Sequence, residues 1–268
     1  MNEDLLRKNL AGKLIGHNLY YYPSIGSTNE EAYRLGAAGA AEGTVVIADR
    51  QTKGKGRMQR IWHSPAGGNI YTSFILRPSL ETGRTPQLTL LAGVAAAEVL
   101  DKHCEGKVEL KWPNDILIGG KKVCGILSEM KMTGGKVEFV VIGIGINVNI
   151  NVRQFSPELR FLATSLREET GRAIAREDLL ISLYENIAKW YKKLLQEGFA
   201  PVKEKWLSLA AMIGRDVQIT LHNETVTGRA CGIDDTGSLL LVDAGGGTIS
   251  ITAGDTTILK ENKNVAGN

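Results

Sequence analysis

The sequence has 268 residues and nearly balanced charge, with 32 basic and 29 acidic side chains. Its 43% hydrophobic content suffices for a sizeable core, which excludes general disorder and fits one larger domain with a small appendage. The charge balance argues against a general affinity for nucleic acid or membranes, and no segment approaches the roughly 18 uninterrupted apolar residues of a membrane span.

Helices and strands alternate in the first part of the sequence. Ser27-Thr28-Asn29, followed by two glutamates, predicts the capped start of a helix. Short apolar strands are predicted at 45–48 and 69–76. Between them, residues 50–60 carry basic side chains and glycines without apolar periodicity, so this segment is predicted to be a loop. The alanine- and leucine-rich stretch 88–100 predicts a helix that lies against a sheet.

A second group of strands follows this helix. Apolar runs separated by turn residues predict strands at 108–111, 116–118, 123–130 and 137–148. Residues 177–195 have apolar side chains near helical spacing and predict an amphipathic helix, which 202–209 extends as a further helical segment.

The pattern changes beyond Gly214 to short strands that alternate with polar or glycine-rich turns. These strands are predicted at 217–221, 226–233, 239–242 and 248–252, with turns at 223, 234–237 and 245–247. We therefore predict two domains, 1–211 and 212–268, of which the second is a small β-barrel. Its last residues, 261–268, are predicted to form a loose tail.

The segment from Gln51 to Trp62 is the most informative part of the sequence, because glycines alternate with cations before an aromatic residue. Glycines let a backbone approach a ligand, and Lys55, Arg57 and Arg60 are able to neutralise phosphate oxygens. This pattern favours a nucleotide phosphate. On composition alone, a solvated basic surface loop explains the segment equally well.

A second candidate site is the turn Lys111-Trp112-Pro113-Asn114-Asp115 with Lys122 on the next predicted strand. Asp115 is a candidate magnesium ligand, and Asn114 is able to bind phosphate or a metal-bound water. Lys122 is placed to stabilise charge on an α-phosphate. The alternative is that Lys122 is an ordinary exposed hairpin lysine, like Lys121 beside it.

The third candidate is the glycine-interrupted strand that ends at Asn147. Its Gly-x-Gly pattern is not a dinucleotide fingerprint, because Val148 replaces the third glycine and no helix is predicted to follow. Glycines at 143 and 145 are instead expected to admit a bulky ligand or a neighbouring backbone against the strand.

Cysteine and histidine usage gives little sign of a metal site. Cys104, Cys124 and Cys231 are far apart and form no Cys-x-x-Cys pair, so we expect reduced thiols. The four histidines form no His-Glu-x-x-His pattern, and no protein-built zinc site is predicted. Because the charged start 2–4 is unlike a signal peptide, we expect a cytoplasmic protein without a membrane partner.

Taken together, these segments resemble the bacterial biotin–protein ligase family. The five motifs that carry the resemblance occur in the family's order and are Ser27-Thr28-Asn29, Gly54-Lys55-Gly56-Arg57, Lys111 to Asp115, Lys122 to Leu127, and Gly143 to Asn147. The resemblance spans about residues 20 to 260. It implies an α+β fold with a class II synthetase-like, biotin–lipoyl ligase catalytic domain, built on a mixed β-sheet with helices, and a C-terminal SH3-like β-barrel.

The resemblance also implies site residues. Those expected around biotin and its activated carboxylate are Ser27, Thr28, Asn29, Gln51, Gly54, Lys55, Gly56, Arg57, Lys122 and Gly125. Those expected on the ATP side are Arg57, Arg60, Trp62, Lys111, Asn114, Asp115 and Asn147. Arg57 and Lys122 are the expected catalytic residues, and Asp115 is the candidate Mg²⁺ ligand.

The sequence departs from the family pattern in two ways. Lys55 replaces the first arginine of the family's glycine loop, which keeps the charge and loses the two-pronged hydrogen bonding of a guanidinium. Family members that also act as repressors carry an N-terminal DNA-binding domain. Few residues precede Ser27, so a repressor role and a DNA partner are not expected.

The implied activity is the ATP-dependent formation of biotinyl-5'-AMP, with Mg²⁺, and transfer of biotin to a lysine of the biotin carboxyl carrier protein of acetyl-CoA carboxylase or a related carboxylase. Family behaviour also raises the hypothesis of a homodimer. The nearest alternative is a lipoate–protein ligase, which the motifs favour less. A nucleic-acid-binding module is a further alternative, but residues 217–259 contain no tyrosine, tryptophan or phenylalanine for base stacking.

Overall fold

The computed structural model describes residues 1–221 and 224–259. Its α-helices are α1 (Glu3–Leu10), α2 (Thr28–Ala37), α3 (Pro86–Cys104), α4 (Leu166–Thr170), α5 (Arg176–Glu197) and α6 (Ala200–Ser208). The strands of the larger part are β1 (Leu19–Tyr22), β2 (Val45–Ala48), β3 (Ile70–Leu76), β4 (Val108–Lys111), β5 (Asp115–Ile118), β6 (Lys121–Thr133) and β7 (Lys136–Ile146). The C-terminal strands are β8 (Asp216–Leu221), β9 (Glu224–Ile233), β10 (Leu239–Val242), β11 (Thr248–Ile251) and β12 (Asp255–Ile258).

A seven-stranded mixed sheet in the order β1-β2-β3-β7-β6-β5-β4 organises the larger part of the chain. Only the β1–β2 pair is parallel. Strands β2 and β3 are buried along their whole length, because helices cover both faces of the sheet. The two covered faces and the C-terminal strands confirm the predicted α+β class.

Alternate residues of the strands point to different helices. On one face, Val46, Ile75 and Val141 pack with Ala32 and Leu35 of α2. On the opposite face, the alternate residues of the same strands join the larger core that contains α3 and α5. Because α2 covers only part of its face, the sheet beside the N-terminus of α2 remains accessible, and the candidate site lies there.

The C-terminal strands form an antiparallel sheet in the order β11-β10-β9-β8-β12. Two hydrogen bonds attach this sheet to the rest of the chain. Trp112 Nε1 donates to the carbonyl oxygen of Gly237 at 3.0 Å in a buried contact, and Gln87 Nε2 donates to that of Asp235 at 2.7 Å in a partly buried one. These contacts bring β12 to the rim of the candidate site. The predicted domain boundary at 211/212 stays a prediction, and the predicted turn at 223 and tail at 261–268 lie outside the described residues.

Most predicted elements are confirmed, but α1, β1, α4 and β12 were not predicted. The short α4 and β12 have few apolar side chains, so periodicity gives no signal for them. Strand β12 exists because it pairs with β8, from Asp255 opposite Thr220 to Ile258 opposite Val217. None of the described helices combines the length and apolar character needed to cross a bilayer.

Candidate active site

A cavity of about 670 Å³ opens on the sheet face beside the N-terminus of α2, a volume suited to a small organic ligand. All the predicted site residues line it except Gly54. Their assignment to particular ligands stays a prediction. Gly54 lies behind the wall, where a Cβ would come within 2.5 Å of the Trp62 carbonyl oxygen.

The floor of the cavity is made by paired glycines of β6 and β7. Gly125 lies opposite Gly145, and the Trp62 indole rests on both. A Cβ on Gly145 would lie 2.5 Å from the indole Nε1, and a Cβ on Gly125 would lie 3.0 Å from Cζ3 of the same ring. The strand glycines therefore admit a bulky group, which in this structure is an indole and not the bulky ligand or neighbouring backbone that was expected at Gly143 and Gly145.

Lys122 stands beside this indole. Its Nζ lies 5.3 Å from the centroid of the Trp62 ring and 2.5 Å from Asp115 Oδ1. Lys111 Nζ lies 3.6 Å from Asp115 Oδ2, so two ammonium groups share one carboxylate. The arrangement places two ammonium groups at the first residue of β5. In a partly dry site, such charges stabilise an anion more strongly than they would in water.

Arg57 links the basic loop to two other parts of the chain. Its Nη1 donates to Asn114 Oδ1 at 3.4 Å and to the Gly254 carbonyl oxygen at 3.1 Å. Burial lowers the pKa of the Arg57 guanidinium, while Asp255 and Asp115 act in the opposite direction. Arg60 forms a second ion pair with Asp255, so this β12 carboxylate holds two cations of the loop. Asp255 was not predicted, because β12 was not.

Lys55 points to the other side of the loop. Its Nζ pairs with Glu30 Oε1 of α2 at 2.6 Å, and this hydrogen bond raises the pKa of the lysine. Both side chains are close to half exposed. The loop is thus held between α2, through Lys55, and β12, through Arg60.

A row of hydrogen-bonded side chains runs along the wall beside α2, and we call it the polar row. Its members are Glu129, Asn29, Ser73, Thr28, Gln51 and Ser64. Three of them, Ser64, Ser73 and Glu129, were not predicted. The only sequence signal was the pair Thr72-Ser73 within an otherwise apolar, fully buried strand.

The polar row also explains why position 143 is a glycine. A Cβ on Gly143 would lie 1.9 Å from Asn29 Oδ1, so the glycine makes room for the asparagine side chain. Asn147, predicted on the ATP side, lines the cavity, but its Nδ2 is already bonded to the Thr164 carbonyl oxygen at 3.0 Å.

Metal ligands are sparse in this site. Across residues 1–221 and 224–259, no group of three or more His, Cys, Asp or Glu side chains is arranged to hold a metal ion. Asp115 lies next to Asn114, and the other carboxylate near Arg57, that of Asp255, is paired with Arg57 and Arg60. A single carboxylate fits a Mg²⁺ ion that arrives with nucleotide phosphates, because Mg²⁺ is commonly bound through one or two carboxylates together with substrate phosphates and waters.

Comparison with known families gives two matches along the chain. Residues 21–147 match the Biotin/lipoate A/B protein ligase family, and residues 212–256 match the Biotin protein ligase C terminal domain. The fold and site thus define a protein of the biotin and lipoate ligase class.

Individual relatives narrow this class. The chain is 42% identical over 241 residues to the bifunctional ligase/repressor BirA of Bacillus subtilis, covering 90% of this chain and 74% of the relative. It is 33% identical to the biotin--[acetyl-CoA-carboxylase] ligase of Mycobacterium tuberculosis, covering 97% and 96%. A biotin protein ligase from Aquifex aeolicus, solved with biotin and ATP, superposes with a TM-score of 0.77 at 34% identity, over 91% of this chain and 99% of that one. The chain belongs to the biotin protein ligase family.

Proposed function

We propose that this chain is an ATP-dependent ligase that joins biotin to AMP and then transfers the biotinyl group to a lysine of a biotin carboxyl carrier protein. One observation carries the proposal: Arg57 and Lys122, from different elements, meet at a single turn. Arg57 contacts Asn114, Lys122 contacts Asp115, and all four side chains line the same cavity.

In the first step, a carboxylate oxygen of biotin attacks the α-phosphorus of ATP. The new P–O bond forms as the bond to the bridging oxygen breaks, and pyrophosphate leaves. Charge grows on the α-phosphate oxygens during this step, and Arg57 and Lys122 stabilise it. Removing one such preorganised donor typically costs about 100- to 1000-fold in rate.

Mg²⁺ would be held by Asp115, with Asn114 near its waters, and would neutralise the charge of the nucleotide phosphates. Lys111 and Lys122 hold the Asp115 carboxylate in place from two sides. Because these lysines also compete with a metal for the carboxylate, Mg²⁺ would depend on the nucleotide phosphates for binding.

In the second step, the neutral amine of the carrier lysine attacks the acyl carbon of biotinyl-AMP. The C–N bond forms, AMP leaves with the electrons of the C–O bond, and the amine loses a proton. The loop that contains Arg57 and Arg60 covers the intermediate, because Asp255 holds it against β12. Excluding water protects an adenylate that would otherwise hydrolyse.

The carrier protein requires a surface at the mouth of the cavity. Three large apolar side chains are strongly exposed there and form what we call the apolar rim: Ile61 at 87%, Phe161 at 83% and Leu162 at 64%. Ile61 and Leu162 line the cavity. Where exposed apolar side chains form a contiguous patch, that patch often marks a protein interaction site. We infer that the carrier protein packs on the apolar rim while its lysine enters the cavity.

The adenylation step is tested directly by incubating the protein with biotin and ATP and measuring biotinyl-AMP. We expect Lys122→Ala and Arg57→Ala to lower its formation at least about 100-fold. Lys121→Ala, an exposed neighbour on the same strand, and Arg84→Ala, a surface arginine, serve as matched controls. Normal adenylate formation in both site variants would remove the assignment of Arg57 and Lys122.

Lipoate remains the comparison substrate, because the N-terminal family match includes both biotin and lipoate ligases. Relatives that cover 80% and 97% of this chain are named biotin--[acetyl-CoA-carboxylase] ligases, and lipoate is therefore not favoured. A competition assay with equal concentrations of biotin and lipoate should yield almost only biotinyl-AMP. We expect the reaction to take place in the cytoplasm, where ATP and carboxylases are found.

A homodimer is a further part of the proposal. Strand β5 pairs with β6 only as far as Gly125, so among the described strands β6 continues toward Thr133 with a partner on one side alone. Exposed strand edges favour pairing with another chain. Sedimentation at micromolar concentration, with and without biotin, should show association, and a monomer under both conditions would exclude it.

A further inference from the structure

The direction of the hydrogen bonds in the polar row is fixed at the Ser64 end by a carbonyl oxygen. Ser64 Oγ donates to the Trp62 carbonyl oxygen at 2.9 Å, which is able only to accept. Ser64 must then accept from Gln51 Nε2, at 3.0 Å. The Gln51 Oε1 atom is consequently turned toward Thr28 and accepts from its backbone N–H at 2.9 Å and from its hydroxyl at 3.1 Å.

The opposite end is fixed by acceptors as well. Asn29 Nδ2 donates to Glu129 Oε2 at 2.8 Å and to the Leu127 carbonyl oxygen at 3.3 Å. Asn29 Oδ1 therefore faces Ser73, whose hydroxyl donates to it at 2.6 Å. The same hydroxyl lies 2.8 Å from Thr28 Oγ1, so its single proton is shared between Asn29 Oδ1 and Thr28 Oγ1 in a three-centre hydrogen bond.

Thr28 is left with one free lone pair. The Thr28 hydroxyl directs its proton to Gln51 and accepts from Ser73. Its remaining lone pair faces the cavity, where the hydroxyl is therefore able to act only as an acceptor. Gln51 retains one N–H that is not used by Ser64. The wall thus presents an acceptor and a donor side by side, which matches the adjacent N–H and C=O groups of a cyclic urea.

We propose that Ser73, Asn29 and Glu129 are positioning residues that hold the Thr28 hydroxyl as a hydrogen-bond acceptor and so select an acid with a ring N–H. The proposal rests on the proposed function, because the ring is that of biotin. Ser73 is fully buried and, like Glu129, is not part of the cavity lining, so neither acts by touching the ligand. Asn29 has both N–H groups engaged, which assigns it a supporting role although it lines the cavity.

The experiment compares biotin with its two cyclic carbamate analogues, in each of which one ureido N–H is replaced by a ring oxygen. Adenylate formation is measured as kcat/KM for each acid. In the unaltered protein, one analogue should react at least about 100-fold less efficiently than biotin, because a site built for an N–H leaves buried polar groups unpaired when it is missing. Ser73→Ala should raise KM for biotin and reduce this discrimination to about 10-fold or less, with KM for ATP unchanged.

Two substitutions outside the cavity lining provide matched controls: one removes a hydroxyl and the other removes a carboxylate. Ser128→Ala removes a hydroxyl of β6 that bonds to Thr89 on the α3 side, and Glu138→Ala removes a surface glutamate of β7 that bonds to Lys131 and Thr133. Both should keep the discrimination of the unaltered protein. Glu129→Ala, at a half-buried position, should reduce it about threefold and replaces Ser73→Ala if that variant does not fold.

The possible results separate the two proposals. If the unaltered protein forms no biotinyl-AMP, the proposed function is wrong. If it forms biotinyl-AMP but Ser73→Ala and Glu129→Ala lose biotin and analogue activity in equal proportion, or lose neither, the polar row is only structural and the inference is overturned.

Discussion

The indole of Trp62 lies against the backbone of Gly145, so close that a single methyl group at position 145 would overlap its Nε1 atom at 2.5 Å. This contact joins the basic loop to the floor of the cavity. It depends on the absence of a side chain at 145. The indole therefore has a defined place that a small substitution removes.

Gly145→Ala should displace the indole without unfolding the sheet. A strand residue tolerates alanine, but the contact distance is impossible for a Cβ, so the loop must shift. We expect a changed tryptophan emission spectrum and at least about a 10-fold loss of adenylate formation, since small displacements of a catalytic group are costly. Gly232→Ala is the control, because its Cβ would meet only one atom, at 4.0 Å. An unchanged spectrum would contradict the packing described.

Asp255→Asn should loosen the basic loop from β12. The substitution removes the charge that pairs with Arg57 and Arg60 and keeps the size of the side chain. Biotinyl-AMP should then leave the protein about 10-fold faster, measured by chasing labelled adenylate with unlabelled biotin and ATP. Asp216→Asn, an exposed carboxylate in the same sheet, should leave the release rate unchanged.

Glu30→Gln tests the opposite attachment of the same loop. The Lys55–Glu30 pair is close to half exposed, and exposed pairs contribute about 0–1 kcal/mol. Release of the adenylate should therefore change less than about fivefold, below the effect of Asp255→Asn. Equal effects of the two substitutions would show that the loop is held from both sides with similar strength.

The three thiols should differ in reactivity. Burial raises the pKa of Cys104 to about 11, so at pH 8 only about 0.1% of it is thiolate, and burial also raises the pKa of Cys124. Cys231 is exposed. A thiol reagent at pH 8 should modify Cys231 within minutes and the other two only after unfolding, as followed by mass spectrometry. Fast labelling of a Cys231→Ser variant would contradict this order.

Trp112→Phe should weaken the attachment of the C-terminal sheet. The indole Nε1 donates to the Gly237 carbonyl oxygen, and both groups are buried at the junction. Leaving that carbonyl unpaired should cost about 1–3 kcal/mol in the free energy of unfolding, measured in urea. A variant with an unchanged unfolding midpoint would show that this hydrogen bond does not stabilise the junction.

Local pattern was sufficient for many elements of this fold. Strands β2, β4 and β10 lie at the predicted residues 45–48, 108–111 and 239–242, because short apolar runs between turn residues have few other conformations. Strand β12 could not be predicted in this way. Its sequence, Asp-Thr-Thr-Ile, becomes a strand only through pairing with β8, and Asp255 was missed with it.

The candidate site shows the same limit. Nearly all the residues that the motifs identified line the cavity, because glycine and charge patterns are local, but much of the lining lies outside the motifs. The contact between Asn29 and Glu129 joins residues 100 positions apart, and no local sequence pattern predicts it. The strand glycines were predicted to make room for a bulky ligand or a neighbouring backbone, whereas Gly143 and Gly145 make room for the side chains of Asn29 and Trp62.

The segment that bears Phe161 and Leu162 is tied to Lys122 by its backbone: the N–H of Lys122 donates to the carbonyl oxygen of Leu162 at 2.8 Å, and the N–H of Thr164 donates to that of Lys122 at 2.9 Å. A protein that packs on these apolar side chains, as proposed, would therefore contact a segment that is hydrogen-bonded directly to the main chain of Lys122. The surface proposed for the carrier protein and the ammonium group proposed to serve adenylation are thus joined by two backbone hydrogen bonds.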